Sequence, residues 1–369
     1  MSRLRVLQIG KFYPPHRGGM ESHLATLCHE LRADAEVQVL VSADHRRTVA
    51  ETVDGVPVTR IGTAVAVASA SINPGMARAI RRAEVDVIHF HHPNPTAVLS
   101  YLASGNSAPL VVTYHSDIVR QRVLGAAFAP ILHRFLRRAR TILASSAEYA
   151  RTSPTLRRHA DRVRIVPFGI HAEAYARPDA AEVAGLRERH GPRVVLGAGR
   201  LVYYKGFEYL VRAMATVPGQ LVLVGDGPLR EPLQVLAAEL GIADRVTFAG
   251  AVADLAPWYA AADVFVLPAV ERSEAFGLVQ LEAMAAGLPV VNTRIPSGVP
   301  FVSMDGESGL TVPPRDAPAL ADALRTLLDD EPLRARLAAG ARARVAAEFS
   351  VERMAAETLR AYRAALRTD

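Results

Sequence analysis

Short apolar runs alternate with longer stretches of helical periodicity along the chain. Runs rich in Val, Ile and Leu are typical of buried strands, and the segments between them repeat apolar residues every three or four positions. The first half predicts strands over 5–9, 37–41, 85–90 and 110–114, helices over 20–31 and 96–103, and a long helical stretch to Arg138. This alternation is typical of βαβ units and a parallel sheet.

The same rhythm restarts at residue 193 and predicts a second α/β domain. Its strands are predicted over 193–198, 220–224, 246–249, 264–268 and 289–292, with helical segments near Phe207, Leu229, Leu255, Gly277 and Ala317. We therefore expect two doubly wound, Rossmann-like parallel-sheet domains, 1–170 and 171–350, divided where prolines and glycines interrupt regular structure. The helical stretch 351–369 is a candidate to pack back onto the first domain. Ligands bind beyond the carboxyl ends of parallel strands, so we expect the chemistry in a cleft between two facing sheets.

Composition narrows the class of protein. The chain has 369 residues, half of them hydrophobic and 22% charged, which is enough for two cores. Cys28 is its single cysteine, and no Cys/His spacing resembles a zinc site, so we expect a reducing compartment. With no signal-peptide pattern and no apolar run approaching ~18 residues, we expect a cytoplasmic protein without a membrane span.

The positive charge is concentrated in one segment. The net charge is +6, yet the segment 117–164 alone carries +8, which leaves the rest slightly acidic. We weigh two interpretations: an ordinary solvated helix surface, and a surface that docks on an anionic membrane. Nucleic acid is not an expected partner, because aromatic residues do not alternate with the basic ones. The arginines lie at 120, 122, 134, 137, 138, 140, 151, 157, 158, 162 and 164.

Two glutamates eight positions apart form the most informative motif. Glu274 and Glu282 flank the start of a predicted helix that follows an apolar strand. At 1.5 Å of rise per residue they are separated by up to about 12 Å, which suits two sugars on either side of a diphosphate. The backbone N–H groups at the helix start are free to bind phosphate, and the helix dipole favours it. These N–H groups belong to Ala275, Phe276, Gly277 and Leu278.

Two cations follow the first strand of the same domain. Arg200 and Lys205 lie in the segment Gly199–Gly206, where they can neutralise a diphosphate, Arg200 as a planar fork and Lys205 as a mobile point charge. A Walker loop needs the order Gly-Lys-Ser/Thr, and this segment has Lys-Gly. It is therefore not a P-loop ATPase.

Together these motifs resemble the GT4 family of retaining glycosyltransferases, which have the GT-B fold of two facing Rossmann-like domains. The resemblance covers nearly the whole chain. Further landmarks agree with it: Gly18-Gly19 after the first strand, His89 to Pro93, His115, Val224 to Pro228, and Asp305 to Gly309.

The resemblance implies roles for individual residues. In the family, the first glutamate of the pair contacts the donor hexose and the second contacts the nucleotide ribose, which assigns Glu274 and Glu282. Arg200 and Lys205 would hold the diphosphate, with His115 on the donor sugar or the acceptor. Gly18 and Gly19 would let the backbone approach the donor phosphate. The base would be read through backbone contacts near Gly250 to Val252.

Metal ions are not part of this expectation. His89 and His91 share a strand face, but the nearby chain offers no third ligand, so we predict no metal site there. No Asp-x-Asp is present to hold a cation on the donor. Fixed cations and helix dipoles would then stabilise the leaving diphosphate. We expect no cofactor beyond the nucleotide-sugar donor, and a glycan or lipid-linked acceptor.

Two motifs depart from the commonest family pattern and bear on the donor. The chain has Pro167-Phe168-Gly169 where many members have Pro-Asn-Gly, and Ser297 to Phe301 where many have Gly-Gly-x-Pro-Glu. The second variant and the segment 113–121 resemble bacterial polysaccharide and O-antigen mannosyltransferases, which makes GDP-mannose the leading donor and UDP-hexoses the main competitors. A GT-B epimerase or phosphorylase and a non-catalytic nucleotide-sugar-binding protein are the competing functions.

Overall fold

The computed structural model describes residues 3–16, 18–67, 70–117 and 122–367. The chain forms two compact units, the first comprising residues 1–169 and 351–369 and the second residues 170–350. Each unit has a predominantly parallel sheet flanked by helices.

The first unit is built on a sheet whose central strand follows the N-terminus. The strands are β1 (Leu4–Ile9), β2 (Ala35–Ser42), β3 (Val49–Val53), β4 (Val56–Ile61), β5 (Val65–Val67), β6 (Ala70–Ile72), β7 (Val87–His92), β8 (Leu110–Tyr114), β9 (Ala139–Ala144) and β10 (Val163–Ile165). The main sheet has the order β10-β9-β8-β7-β1-β2-β4-β3, and β5 pairs with β6. All neighbours in the main sheet are parallel except β3 and β4. The strand order reverses between β1 and β7, which is where such sheets bind ligands.

Helices connect these strands, and polar residues begin several of them. The helices are α1 (Gly19–Leu31), α2 (Met76–Arg82), α3 (Pro95–Ser104), α4 (Arg122–Leu136), α5 (Ala147–Thr152) and α6 (Pro154–Arg157). Asn94, Ser146 and Ser153 cap α3, α5 and α6 by accepting backbone N–H groups of the first turn. Burial of α1 is one-sided, with Leu24, Leu27, Cys28 and Leu31 in the core.

The second unit repeats this architecture. Its helices are α7 (Glu173–Ala176), α8 (Ala180–His190), α9 (Phe207–Met214), α10 (Arg230–Glu239), α11 (Ala256–Ala260), α12 (Leu278–Ala286), α13 (Val299–Val302), α14 (Ala317–Asp329) and α15 (Glu331–Glu348). Its strands are β11 (Val194–Ala198), β12 (Gln220–Val224), β13 (Val246–Gly250), β14 (Val264–Leu267), β15 (Val290–Thr293) and β16 (Gly309–Val312). They form a parallel sheet of order β13-β12-β11-β14-β15-β16. The strand order reverses between β11 and β14.

The last helix, α16 (Val351–Leu366), belongs to the first unit. It packs on α1 and buries Met354, Leu359 and Tyr362. The Tyr362 hydroxyl lies 2.9 Å from Gln8 Nε2 on β1 and 2.6 Å from His89 Nδ1 on β7. The end of the chain therefore supplies part of the polar core of the unit in which the chain began.

The structure adds elements that the hydrophobic pattern did not predict. The antiparallel hairpin of β3 and β4 and the strands β9, β10 and β16 were all missed. The helical stretch predicted to reach Arg138 ends at Leu136, and a strand begins three residues later at Ala139.

Helix lengths and hydropathy also bear on membrane insertion. Among the described residues, every helix is too short or too polar to cross a bilayer.

Candidate active site

The loops that follow β11 and β14 pack against each other, backbone to backbone. Gly206 ends the first loop with φ +68°, and a Cβ there would lie 2.1 Å from the carbonyl oxygen of Pro268 in the second loop. The N–H of Val270 donates to the carbonyl oxygen of Tyr204 at 2.9 Å. These contacts fix the two loops at the point where the strand order of the second unit reverses.

A buried ion pair joins the same two loops. Lys205 Nζ lies 2.8 Å from Glu274 Oε2, with 10% and 11% of the two side chains exposed. Gly199 makes room for the lysine, since a Cβ there would lie 3.3 Å from its Nζ. An ammonium has three donors, so contact with one carboxylate leaves further capacity for an anionic ligand.

Arg200 lies on the loop of Lys205 and is exposed. The charges of Arg200 and of the Glu274 carboxylate both affect the pKa of Tyr204. Burial and then Glu274 raise the pKa of Tyr204 to about 12, and the Arg200 guanidinium acts in the opposite direction. Arg200, Lys205 and Glu274, which the sequence assigned to one site, therefore lie close together at the end of β11.

The loops after β12 and β13 join this arrangement from the other side. Gly225 has φ +128°, and a Cβ there would lie 2.1 Å from the carbonyl oxygen of Gly199. The Gly225 N–H donates to the Gly250 carbonyl oxygen at 2.7 Å. Gly250, with φ +75°, ends β13, and the half-buried Val252 follows it. The two residues predicted to read the base thus lie at the end of β13, two strands away from β11.

A three-residue loop connects Glu274 to the start of α12. Ala275, Phe276 and Gly277 are buried in the loop, and Gly277 has φ +78° before the helix begins at Leu278. No side chain of the described residues caps the helix. The Ala275 carbonyl oxygen accepts the N–H of Gly298 at 2.7 Å, which ties the loop to the segment before α13.

Glu282 lies one turn into α12 between two tyrosines. The Tyr259 hydroxyl donates to Glu282 Oε2 at 2.8 Å, and the Tyr175 hydroxyl also hydrogen-bonds to this carboxylate. Burial raises the pKa of Glu282, whereas the two hydroxyls and then the charge of Lys205 act to lower it. Glu282 therefore belongs to the same electrostatic neighbourhood as the pair of Lys205 and Glu274.

Sequence reasoning missed the residues that support α12. Asn292 Nδ2 donates to Gln280 Oε1 at 3.0 Å and to the carbonyl oxygens of Val299 and Ser303 at 3.2 Å and 3.0 Å. Thr311 Oγ1 donates back to Asn292 Oδ1 at 2.8 Å. The available signal was polarity, since Gln280 and Asn292 interrupt otherwise apolar segments. Tyr175 and Tyr259 gave no signal, because each is far from Glu282 in sequence.

The remaining predicted residues, Gly18, Gly19 and His115, lie in the first unit. Gly18 precedes α1 with an extended backbone, φ 172°, so its conformation suits any residue; Gly19 is the first residue of the helix. His115 follows β8 and is buried. Burial, helped by neighbouring histidines, holds the pKa of His115 well below its usual range, so the ring is neutral at neutral pH.

His91 has imidazole neighbours that the sequence did not indicate. Its Nδ1 lies 3.0 Å from His115 Nε2, and the ring of His23 on α1 lies 5.7 Å from its own. The prediction of no third ligand near His91 considered only the adjacent chain. Residues from α1 and from the end of β8 lie beside it because parallel strands and the following helices meet at one edge of the sheet.

Most arginines of the basic segment are exposed, although much of the segment itself is buried. Arg162 is half-buried and donates to the carbonyl oxygens of Arg137 and Ala139, while Arg151 pairs with Glu148. A surface pocket of about 490 Å³ is lined by Pro130, His133, Arg137, Arg158, His159, Asp161 and Arg162. The described part of the chain excludes residues 118–121, and with them Arg120, as well as the side chain of Arg122. The exposed arginines are Arg134, Arg137, Arg138, Arg140, Arg151, Arg157, Arg158 and Arg164.

Known proteins resemble both units. Residues 192–330 match the family described as glycosyl transferases group 1, and residues 18–169 match the glycosyl transferase 4-like domain. The chain is 35% identical to D-rhamnosyltransferase WbpZ of Pseudomonas aeruginosa over 88% of its own length and 86% of the relative. The chain belongs to the group 1, GT4-like glycosyltransferases.

Other relatives extend this similarity. The GDP-mannose-dependent α-(1-6)-phosphatidylinositol monomannoside mannosyltransferase of Mycobacterium tuberculosis is 30% identical over 96% of both chains. Sucrose-phosphate synthase from Thermosynechococcus elongatus superposes with a TM-score of 0.84 at 27% identity over 98% of both chains. The predicted GT-B fold is thus confirmed, and this glycosyltransferase is an enzyme by family.

Replacing Gly206 by alanine is expected to lower the Tm of the glycosyltransferase more than replacing Gly241. Both glycines have positive φ, +68° and +67°, so both substitutions carry the same left-handed strain of about 1–2 kcal/mol. Only Gly206→Ala also brings a Cβ to 2.1 Å from a carbonyl oxygen, because Gly241 has no described atom within 4 Å. Differential scanning calorimetry measures both variants. Equal transitions would show that the loops do not pack as described.

Proposed function

We propose that this glycosyltransferase moves a hexose from a nucleotide-diphosphate sugar to a glycan or lipid-linked acceptor in cell-surface polysaccharide synthesis. The proposal includes retention of anomeric configuration and no divalent metal ion on the donor. The observation that carries it is the buried pair of Lys205 and Glu274, 2.8 Å apart at the carboxyl ends of β11 and β14. A cation and a carboxylate at this point suit a phosphate and the sugar attached to it.

The diphosphate would be held by fixed positive groups. Lys205 and the exposed Arg200 supply two charges, and the N-terminus of α12, which no described side chain caps, adds its partial positive charge. Negative charge grows on the leaving phosphate during transfer, so pre-positioned cations lower the barrier. The sequence has no Asp-x-Asp, and these groups would do the work that a metal ion does in enzymes that carry one.

The two glutamates would bind rather than attack. Glu274 can accept hydrogen bonds from hexose hydroxyls while it pairs with Lys205, and Glu282 can accept them from the ribose. In the retaining reaction, the anomeric carbon–phosphate oxygen bond breaks, and the acceptor oxygen attacks from the same face. The acceptor proton passes to an oxygen of the leaving phosphate. This route needs no protein nucleophile, which fits a site whose carboxylates are already paired and hydrogen-bonded.

GDP-mannose is the proposed donor. Support comes from relatives whose names specify mannose, including the O-antigen chain mannosyltransferase C of Escherichia coli, 33% identical over 73% of both chains. D-rhamnose, named for the Pseudomonas aeruginosa relative, is 6-deoxymannose and has the same ring configuration. A UDP-hexose is the second candidate, and a non-catalytic binding protein is the third.

The acceptor would be presented at a membrane. The arginines of the segment 120–164 form the proposed contact with anionic lipid, and the pocket between Arg137, Arg158 and Arg162 offers cations to a phosphate headgroup. Such binding is electrostatic, and the attraction falls off within a Debye length of about 8 Å at physiological salt. We therefore expect it to be reversible.

Glu274→Ala and Lys205→Ala are each expected to reduce transfer by at least about tenfold, because each removes charge complementary to the reacting diphosphate sugar. The control is Glu239→Ala, an exposed glutamate at the end of α10 in the same unit. Initial rates of nucleotide release are measured on variants with native circular dichroism spectra. Wild-type rates in both folded site variants would place the active site elsewhere.

Among nucleotide sugars incubated without acceptor, GDP-mannose is expected to be hydrolysed fastest, and EDTA is expected to leave the rate unchanged. The physical reason is that fixed cations, not a bound metal ion, complement the diphosphate. Chromatography of released GDP or UDP measures the rates. Faster release of UDP would identify UDP-hexoses as the donors. Loss of activity in EDTA that only Mg²⁺ or Mn²⁺ restores would disprove metal independence. No hydrolysis or transfer at all would favour a non-catalytic binding protein.

The protein is expected to sediment with anionic liposomes and not with neutral ones, and high salt should release it because the attraction is electrostatic. Replacing Arg137, Arg138 and Arg140 together by alanine should weaken sedimentation. The control replaces three exposed arginines of the second unit, Arg189, Arg212 and Arg342. Equal sedimentation with both liposome types would make the arginines an ordinary solvated surface.

A further inference from the structure

Three buried imidazoles converge in the first unit. His23 comes from α1, His91 from β7 and His115 from the end of β8, and one ring nitrogen of each lies within 4.8 Å of the other two. His91 Nδ1 and His115 Nε2 are already 3.0 Å apart. We call these residues the trihistidine cluster.

Hydrogen bonds fix the orientation of His91 within the cluster. Gln8 Nε2 donates to the Tyr362 hydroxyl at 2.9 Å, so Gln8 Oε1 accepts from His91 Nε2 at 2.9 Å. The proton of His91 is thereby placed on Nε2, and Nδ1 presents its lone pair to His23 and His115. Metal-bound histidines are commonly held this way, with the second ring nitrogen donating to an oxygen.

His23 lacks any such support. Within the described part of the chain, neither of its ring nitrogens has a hydrogen-bond partner, although the residue is only 4% exposed. A buried polar group without a partner costs free energy, which a bound ion would offset by taking the lone pair. Burial lowers the pKa of His23 to about 3 and those of His91 and His115 well below the usual range. The three rings are therefore neutral, as metal coordination requires.

We propose that the trihistidine cluster binds one divalent transition-metal ion of the Zn²⁺ class, with a fourth position open to water or an anion. Three imidazoles suit Zn²⁺ and its neighbours, whereas Mg²⁺ and Ca²⁺ prefer oxygen ligands. At Zn–N distances of about 2.0–2.1 Å, tetrahedral ligand atoms are roughly 3.3 Å apart. The pair of His91 and His115 is close to this spacing, although in the metal-free protein His115 Nε2 donates to His91 Nδ1. Metal binding therefore requires the His115 proton to move from Nε2 to Nδ1, which frees the Nε2 lone pair, and rotation of the His23 side chain supplies the remaining approach.

The bound ion inhibits transfer. This consequence rests on the proposed function, in which His115 contacts the donor sugar or the acceptor, because a coordinated imidazole nitrogen is no longer free for that contact. The aromatic ring of Phe168 lies 4.2 Å from that of His23 and 5.2 Å from that of His115, so it covers the same side chains. Metal binding itself does not depend on the donor or on transfer.

The test uses the full chain freed of metal by EDTA and then dialysed. Equilibrium dialysis with elemental analysis should find about one Zn²⁺ per chain, and Co²⁺ should give the intense visible absorption of a tetrahedral nitrogen site. His23→Ala should reduce Zn²⁺ affinity at least about tenfold, whereas His29→Ala, an exposed histidine on the same helix, should not. Absence of stoichiometric binding in wild type, or equal affinities in the two variants, would overturn the site.

A second measurement separates this proposal from the proposed function. Zn²⁺ should inhibit wild-type transfer, EDTA should restore it, and His23→Ala should resist the inhibition. The Co²⁺ spectrum needs no donor, so it stands even if the donor assignment fails. Active enzyme without the spectrum would disprove the metal site alone. Inhibition that persists in His23→Ala would disprove inhibition through this cluster.

Discussion

Backbone contacts between loops hold the candidate active site together. Gly206 lies against the carbonyl of Pro268, and Gly225 lies against that of Gly199. Each approach is so close that a Cβ on the glycine would clash with the carbonyl oxygen. The ion pair of Lys205 and Glu274 depends on these contacts, because a buried pair gains little net stability after desolvation and needs an imposed geometry. The glycines therefore stabilise an arrangement of charge that the two side chains would not hold by themselves.

The same loop contacts place Lys205 where its charge acts on both Glu274 and Glu282. Glu282 is held by hydroxyls of Tyr175 and Tyr259, and its ionised form is favoured by the charge of Lys205 and disfavoured by burial. One lysine thus acts on both glutamates of the motif. The positive charge of Lys205 is shared between two carboxylates, so a bound anion can change this charge balance without moving the backbone.

Local patterns predicted the parts of the structure that local physics decides. The strands β8, β11 and β12 are almost entirely apolar, and β1 has Arg5 and Gln8 among four apolar residues, so the positions of all four strands were predicted to within a residue. The expectation that ligands bind beyond the carboxyl ends of the strands came from the general rule for parallel sheets. Edge strands were missed because β3 and β10 are mostly exposed and lack the apolar signal. The strand β9 was absorbed into the preceding helical pattern.

Long-range contacts were not predictable in this way. His23, His91 and His115 come from three elements, and Tyr175 contacts Glu282 across more than a hundred residues of sequence. Periodicity reports which face of an element is buried, but not which other element covers it. The motif spacing identified Glu274 and Glu282 as a pair, whereas their tyrosine and lysine neighbours became visible only in three dimensions.

The chain leaves the first unit at Gly169 and returns to it at Val351. During synthesis on the ribosome, the second unit is therefore complete before the first receives α16 and the Tyr362 hydroxyl that joins β1 to β7. The second unit is contiguous and can fold as it emerges, while the first must wait with part of its core uncovered. The surface of α1 that α16 covers consequently stays without this cover for the time needed to translate the whole second unit.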